Sequence, residues 1–167
     1  QSVDAVLSLT TNDGRLFWMG LRPYGLAYYD RLTGSTSYGS AIPGFGSLPA
    51  KVMGAKIAAT LRRANGELWF ASASYGIIVR YPNGTTRLLN SDNTPFLRDN
   101  YVCTLFEDHR HRVWIGERSG LAVAVNARQG QHLSLSADGQ PITRCDVRGI
   151  TEEIGRASCR ERVCVIV

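Results

Sequence analysis

The sequence predicts an all-β chain, a partial β-propeller of about three four-stranded antiparallel blades plus the start of a fourth. Three observations predict it. A pattern of about 45 to 50 residues runs three times, as Val6-Leu-Ser-Leu-Thr-Thr-Asn-Asp-Gly-Arg-Leu-Phe-Trp-Met-Gly20, Ile57-Ala-Ala-Thr-Leu-Arg-Arg-Ala-Asn-Gly-Glu-Leu-Trp-Phe-Ala71 and Val102-Cys-Thr-Leu-Phe-Glu-Asp-His-Arg-His-Arg-Val-Trp-Ile-Gly116. All 3 Trp residues sit at one phase of it, with Trp18, Trp69 and Trp114 spaced by 51 and 45 positions. Each copy then reaches a Gly-apolar pair: Gly25-Leu26, Gly76-Ile77 and Gly120-Leu121. Self-similarity at this period, with several short strand-like runs per unit, marks propeller blades.

The third copy shows how one repeat builds one blade. Tyr101 to Phe106 is β-rich and alternating, so it reads as the first strand. Glu107 to His111 turns, Arg112 to Gly116 is the second strand, and Glu117 to Gly120 the next hairpin. Leu121 to Asn126 is the third strand, Ala127 to Gly130 turns, and Gln131 to Leu135 is the fourth. The other copies place Asn12-Asp-Gly14 and Asn65-Gly66 at the first turn, and Thr33-Gly34 and Asn83-Gly84 at the third. Such dipeptides supply the positive φ of tight hairpin turns. No segment carries useful helical periodicity. The repeats span about residues 3–38, 55–90 and 100–136, and a fourth opens at 147–152.

That fourth copy sets the domain boundary. Val147-Arg-Gly-Ile-Thr-Glu152 matches Val102 to Glu107, and the match then stops. From Glu153 the chain reads Glu-Ile-Gly-Arg-Ala-Ser-Cys-Arg-Glu-Arg-Val163, which resembles a translated sequencing adapter. Residues 1–152 are therefore expected to be an incomplete propeller, internal to a longer protein, and 153–167 a non-native tail. Without residues 154–167, Lys+Arg falls from 19 to 16 and Asp+Glu from 14 to 13, so the net charge falls from +5 to +3. No basic run or stripe argues for direct nucleic acid contact. Cys103 and Cys145 remain; they could face each other across adjacent blades, but buried thiols are the expected state. No stretch approaches the roughly 18 apolar residues of a membrane span.

The recurring Trp, each with a small residue two positions on (Gly20, Ala71, Gly116), reads as packing between blades rather than as a sugar platform. The phrase Glu107-Asp-x4-Val-Trp-Ile-Gly116 followed by Ser119-Gly-Leu121 resembles the two-component regulator propeller repeat. The first copy matches it through Asp13-Gly-Arg-Leu-Phe-Trp-Met-Gly20, and the second through Asn65-Gly-Glu-Leu-Trp69, Gly76 and Arg80-Tyr81. Departures are His111 at the turn glycine, Glu117 in place of Thr, and no Glu-Asp pair in copies one and two. The resemblance covers residues 3 to 152. It implies a periplasmic sensor region of a bacterial hybrid histidine kinase, a dimer in the parent protein, detecting carbohydrate and signalling to transcription by phosphorelay. The kinase and remaining blades would lie outside this chain.

Candidate chemistry is sparse, and no catalytic residue, metal ligand or cofactor is assigned. Glu107, Asp108, His109 and His111 resemble a metal set but occupy a hairpin turn, so a solvated turn is expected. A propeller lyase resembling the streptogramin-inactivating enzymes is the alternative reading, and a protein-binding scaffold is another. Ligand binding is better approached through topology. In a four-stranded blade the second hairpin and the blade-to-blade connection emerge on one face. That groups Arg22, Tyr24, Tyr75 and Arg118 with the connections 39–55, 90–100 (which carries Arg98) and 137–146. Guanidinium forks and aromatic faces at equivalent hairpin tips suit an oligosaccharide ligand.

Overall fold

The computed structural model describes residues 5–11, 13–22, 25–137, 140–142, 147–151 and 164–166. Within them the repeat becomes three antiparallel four-stranded sheets, each in sequential order. The first blade is β1 (Ala5–Thr11), β2 (Leu16–Arg22), β3 (Gly25–Asp30) and β4 (Ser35–Tyr38). The second is β5 (Ile57–Arg62), β6 (Leu68–Ser72), β7 (Gly76–Arg80) and β8 (Thr86–Leu89). The third is β9 (Val102–Glu107), β10 (Val113–Glu117), β11 (Gly120–Asn126) and β12 (Gln129–Leu133). Helix among the described residues is limited to a single 3-10 turn at Gly39–Ala41 and α1 (Ala50–Met53), both in the first connection.

The register repeats as closely as the sequence does. Trp18 lies opposite Thr10 and Tyr28, Trp69 opposite Leu61 and Val79, and Trp114 opposite Phe106 and Val123. Each first strand is bulged at its second repeat position, Leu7, Ala58 or Cys103. His111 adopts φ 59°, so it takes the left-handed conformation that Gly66 takes at φ 86° in the second blade. The departure from the turn pattern is thus absorbed locally.

First strands pack side by side, β1 against β5, β5 against β9, and β9 against β15 (Gly149–Thr151). Between the first two blades lie Trp18, Leu26, Phe45, Leu68, Phe70 and Ile78. Between the second and third lie Trp69, Ala71, Val79, Val113, Ile115, Ala122 and Ala124. Each fully buried aliphatic or aromatic side chain contributes about 1.5–3 kcal/mol, so these two seams hold the array. The small residue after each Trp is where the next blade enters. A Cβ on Gly20 would lie 2.6 Å from Ile57 O, and one on Gly116 would lie 2.5 Å from Val147 O. Val147 is fully buried, as the fourth-copy alignment requires.

One feature of the connections differs from expectation. The fourth strand of the third blade ends at Leu133, and the chain continues as a hairpin of β13 (Leu135–Ala137) and β14 (Gln140–Ile142). The intervening sequence is Asp138-Gly139, a dipeptide that favours tight turns. In the tail, β16 (Cys164–Ile166) pairs in parallel with β15, giving two strands rather than a fourth antiparallel blade. Cys145 lies outside the described residues, and with it the pairing of the two cysteines.

Candidate functional site

The sheets place the second hairpins and the inter-blade connections at one rim, tied by backbone hydrogen bonds. Ala73 N–H donates to Lys56 O (2.9 Å), Gly76 N–H to Asn100 O (2.8 Å), Arg118 N–H to Tyr101 O (3.0 Å) and Val147 N–H to Glu117 O (3.1 Å). Gly76 is positioned by this arrangement. Its φ is 87°, and a Cβ there would collide with Leu89 O, so only glycine lets the connection pass so close.

Two cation–aromatic pairs occupy this rim. Lys51 of α1 stands 5.8 Å from the Tyr75 ring, and the Arg118 guanidinium 5.7 Å from the Tyr101 ring. Arg22 and Arg98 are exposed. The structure therefore brings Arg98 and Arg118 to the third blade's hairpin and sets Tyr75 at the second's. Arg22 ends β2 in the first blade, and Tyr24 lies outside the described residues. Sequence reasoning does not single out Tyr101 or Lys51. Tyr101 begins a strand and Lys51 falls in a connection, so only the fold shows that they meet hairpin residues.

Sequence reasoning also misses Glu117, which stands out in the repeat only as a departure from Thr. It is fully buried at the end of β10. Its Oε2 accepts hydrogen bonds from Arg98 N–H (3.1 Å) and Asp99 N–H (2.9 Å), fastening the 90–100 connection to the third blade. Oε1 has no partner. Burial pushes its carboxyl up to about 7, against the pull of the two N–H groups. The corresponding residue of the second blade, Ser72, instead accepts from Ser74 and Tyr75 of its own hairpin (both 3.1 Å). His132 lies on the same face of the third sheet, its ring against Gly120 and its pKa lowered by burial and by Arg98.

The opposite rim refines one expectation. The Glu107–His111 turn is solvated at His109, Arg110 and His111, which are exposed, but its two carboxylates are engaged. Asp108 is 3% exposed, and its Oδ2 accepts from Trp114 Nε1–H (2.8 Å) and Arg112 Nε–H (2.7 Å). Burial alone would raise its pKa; the bonds from Trp114 and Arg112 outweigh that and hold it at about 2. Glu107 reaches back to the second blade, accepting from Ala64 N–H (2.8 Å) and Arg63 Nε–H (3.2 Å). The second blade carries the same cluster with the charges exchanged. Arg63 stands at the Asp108 position, and Glu67, at the Arg112 position, accepts from Trp69 Nε1–H (2.9 Å) and Arg63 (3.0 Å). In both, the guanidinium lies over the indole, at 5.6 Å for Arg63 and 5.1 Å for Arg112. The three Trp residues are thus packing elements, at 2%, 0% and 9% exposure. His109 and His111 belong to this far rim, whereas His132, on the outermost strand of the third blade, lies near Arg98.

No protein-family model matches the chain, and no curated protein does. Solved structures do. The chain is similar to the extracellular domain of the hybrid two-component system BT3049 of B. thetaiotaomicron, at 20% identity and TM-score 0.63, covering 80% of this chain and 19% of that one. It is similar to the extracellular domain of the B. thetaiotaomicron one-component system BT4673, at 11% identity and TM-score 0.68, covering 88% and 18%. A virginiamycin B lyase of Staphylococcus aureus, crystallised with quinupristin, matches at 18% identity and TM-score 0.59, covering 83% and 44%. The chain therefore spans about a fifth of the two sensor domains and under half of the lyase. These likenesses show the propeller fold. No helix among the described residues is long and apolar enough to cross a membrane.

Proposed function

We propose that the chain is part of the ligand-sensing, periplasmic β-propeller of a two-component regulator that detects carbohydrate and signals to transcription by phosphorelay. The observation that carries the reading is the pair of cation–aromatic contacts, Lys51 with Tyr75 and Arg118 with Tyr101, at one rim of successive blades. Aromatic faces stack on sugar rings, and the flanking cations offer hydrogen-bond donors to hydroxyl or carboxylate oxygens. The propeller repeat in the sequence and the fold shared with two extracellular sensor domains support the same setting. In this reading residues 1–152 are blades of a larger ring, 153–167 are foreign to it, and the kinase and a dimer contact belong to the parent protein.

Titrating the chain with neutral and uronic acid oligosaccharides by isothermal calorimetry tests the site. At least one should bind, and Tyr75→Ala or Arg118→Ala should weaken it about tenfold or more, the loss of roughly 1.4 kcal/mol. Unchanged affinity in both variants sinks the reading. The lyase fold likeness supports a second reading, streptogramin opening, which loss of the antibiotic on incubation with the chain would establish.

A further inference from the structure

The far rim builds one device twice and leaves it incomplete once. In the second and third blades an indole N–H, an arginine over the indole and a carboxylate oxygen shared by both form a closed set. The first blade has the indole, and an arginine of the second blade covers it. Trp18 is 2% exposed, and the Arg80 guanidinium, reaching over from β7 of the second blade, lies 5.3 Å from its ring centre. Neither Trp18 Nε1 nor Arg80 Nε has a hydrogen-bond partner, and both atoms are buried.

The acid is missing by sequence. Asp108 stands six residues before Trp114 and Glu67 two before Trp69; the matching residues before Trp18 are Asn12 and Leu16. Nearby carboxylates are committed elsewhere. Asp30 binds Arg15 (2.7 Å) and Leu32 N–H (2.8 Å), and Asp13 caps Arg15 and Leu16 N–H groups (2.9 and 3.1 Å). Arg80 as a whole is half-buried, but its Nε and the Trp18 Nε1 are sealed from solvent, and an unmet buried donor costs on the order of 1–3 kcal/mol. The arginine is reachable. It lines an open cleft of about 510 Å³ with Pro43, Gly44, Ser47, Asn83 and Thr86.

We propose that the junction of the first and second blades binds a small oxyanion, a carboxylate or phosphate, between Trp18 Nε1–H and Arg80 Nε–H, where the other blades use their own carboxylate. The site lies on the rim opposite the candidate sugar face, so it is independent of that reading. A water molecule would meet the two donors without supplying charge, and would leave stability indifferent to added anion. A ligand that binds only the folded chain raises its stability with concentration and then follows RT ln(1 + [L]/Kd).

The test is the melting temperature of the chain in sodium acetate and in sodium phosphate, against sodium chloride at matched ionic strength. The wild-type chain should gain several degrees over chloride in at least one of them, rising along a binding isotherm. Arg80→Gln should lose that gain. Asn12→Asp, which restores an acid at the Asp108 position, should melt higher without added anion and respond no further. It also guards against a failure of the Arg80 variant to fold. General salting-out by phosphate would persist in Asn12→Asp, and that outcome overturns the proposal. So does a wild-type chain that melts alike in all three salts.

Discussion

Val6 and Ile57 hold the same place in successive repeats, at the start of a blade's inner strand, yet Val6 is 56% exposed and Ile57 is 0%. Val102 and Val147, at the same place in the third and fourth copies, are also 0% exposed. The difference is the preceding blade. Ile57 and Val147 enter beside Gly20 and Gly116, whereas no described blade precedes Val6. Leu9, at 57% exposed, shares that open face. An apolar pattern thus states what a blade needs buried, and a neighbour decides whether it is. In repeat folds stability resides in such interfaces as much as in the units.

The sharpest way to break this comparison is at the closed seam. Trp69→Ala removes a ring that is 0% exposed and hydrogen-bonded to Glu67, and should cost about 3–5 kcal/mol. Chemical denaturation measures it, and a loss below about 1 kcal/mol would deny that the seam carries the fold. Gly116→Ala comes next. Its Cβ would meet the Val147 carbonyl at 2.5 Å, backbone that shifts only with the whole strand, so about 1–3 kcal/mol should be lost. An unchanged melt would mean that the fourth strand is not seated there.

A third measurement separates the two rims of the third blade by pH. Glu117 has a folded pKa raised from 4.5 to about 7, so its folded form holds a proton that the unfolded chain releases. Stability from this group is present below about pH 4.5 and is lost as pH rises through 7. Asp108, lowered from 3.8 to about 2, acts oppositely: its contribution is present above 3.8 and lost as pH falls towards 2. Stability should therefore peak between about pH 4 and 5 and decline by roughly 1–3 kcal/mol towards pH 8, because one bound proton changes stability by about 1.4 kcal/mol for each pH step. Glu117→Gln should flatten the decline and leave the acid limb intact. If the decline survives the substitution, Glu117 is not its source.

The smallest effect belongs to the open face. Val6→Ser should change stability by no more than about 0.5 kcal/mol. In a chain carrying a second copy of residues 102–146 fused ahead of Val6, the same substitution should become clearly destabilising. Equal cost in both chains would mean that the face is not a blade interface.

Much of this architecture was legible because strands and tight turns are local. Alternation, the Asn-Gly and Asp-Gly turns and the Trp phase determined three sheets, and the matched registers of Trp18, Trp69 and Trp114 follow from them. The small residue after each Trp announced a close approach, which the positions of Ile57 and Val147 supply. The candidate site was only partly legible. Arg98 and Arg118 could be placed on one rim by topology, but their company could not, since Glu117 and Tyr101 meet them through the fold alone.

The sequence by itself determined the number of blades, their strand order and the rim on which each hairpin emerges, because each depends on residues a few positions apart. Tertiary structure decided which charges are solvated and which are structural. Glu107 and Asp108 read as a polar turn, yet one crosses to Arg63 in another blade and the other closes on Trp114. Arg63–Glu67 and Asp108–Arg112 exchange charges at equivalent positions and build the same cluster. Residue identity at one position does not reveal this, because a buried charge is stabilised only by the partner that packing brings to it.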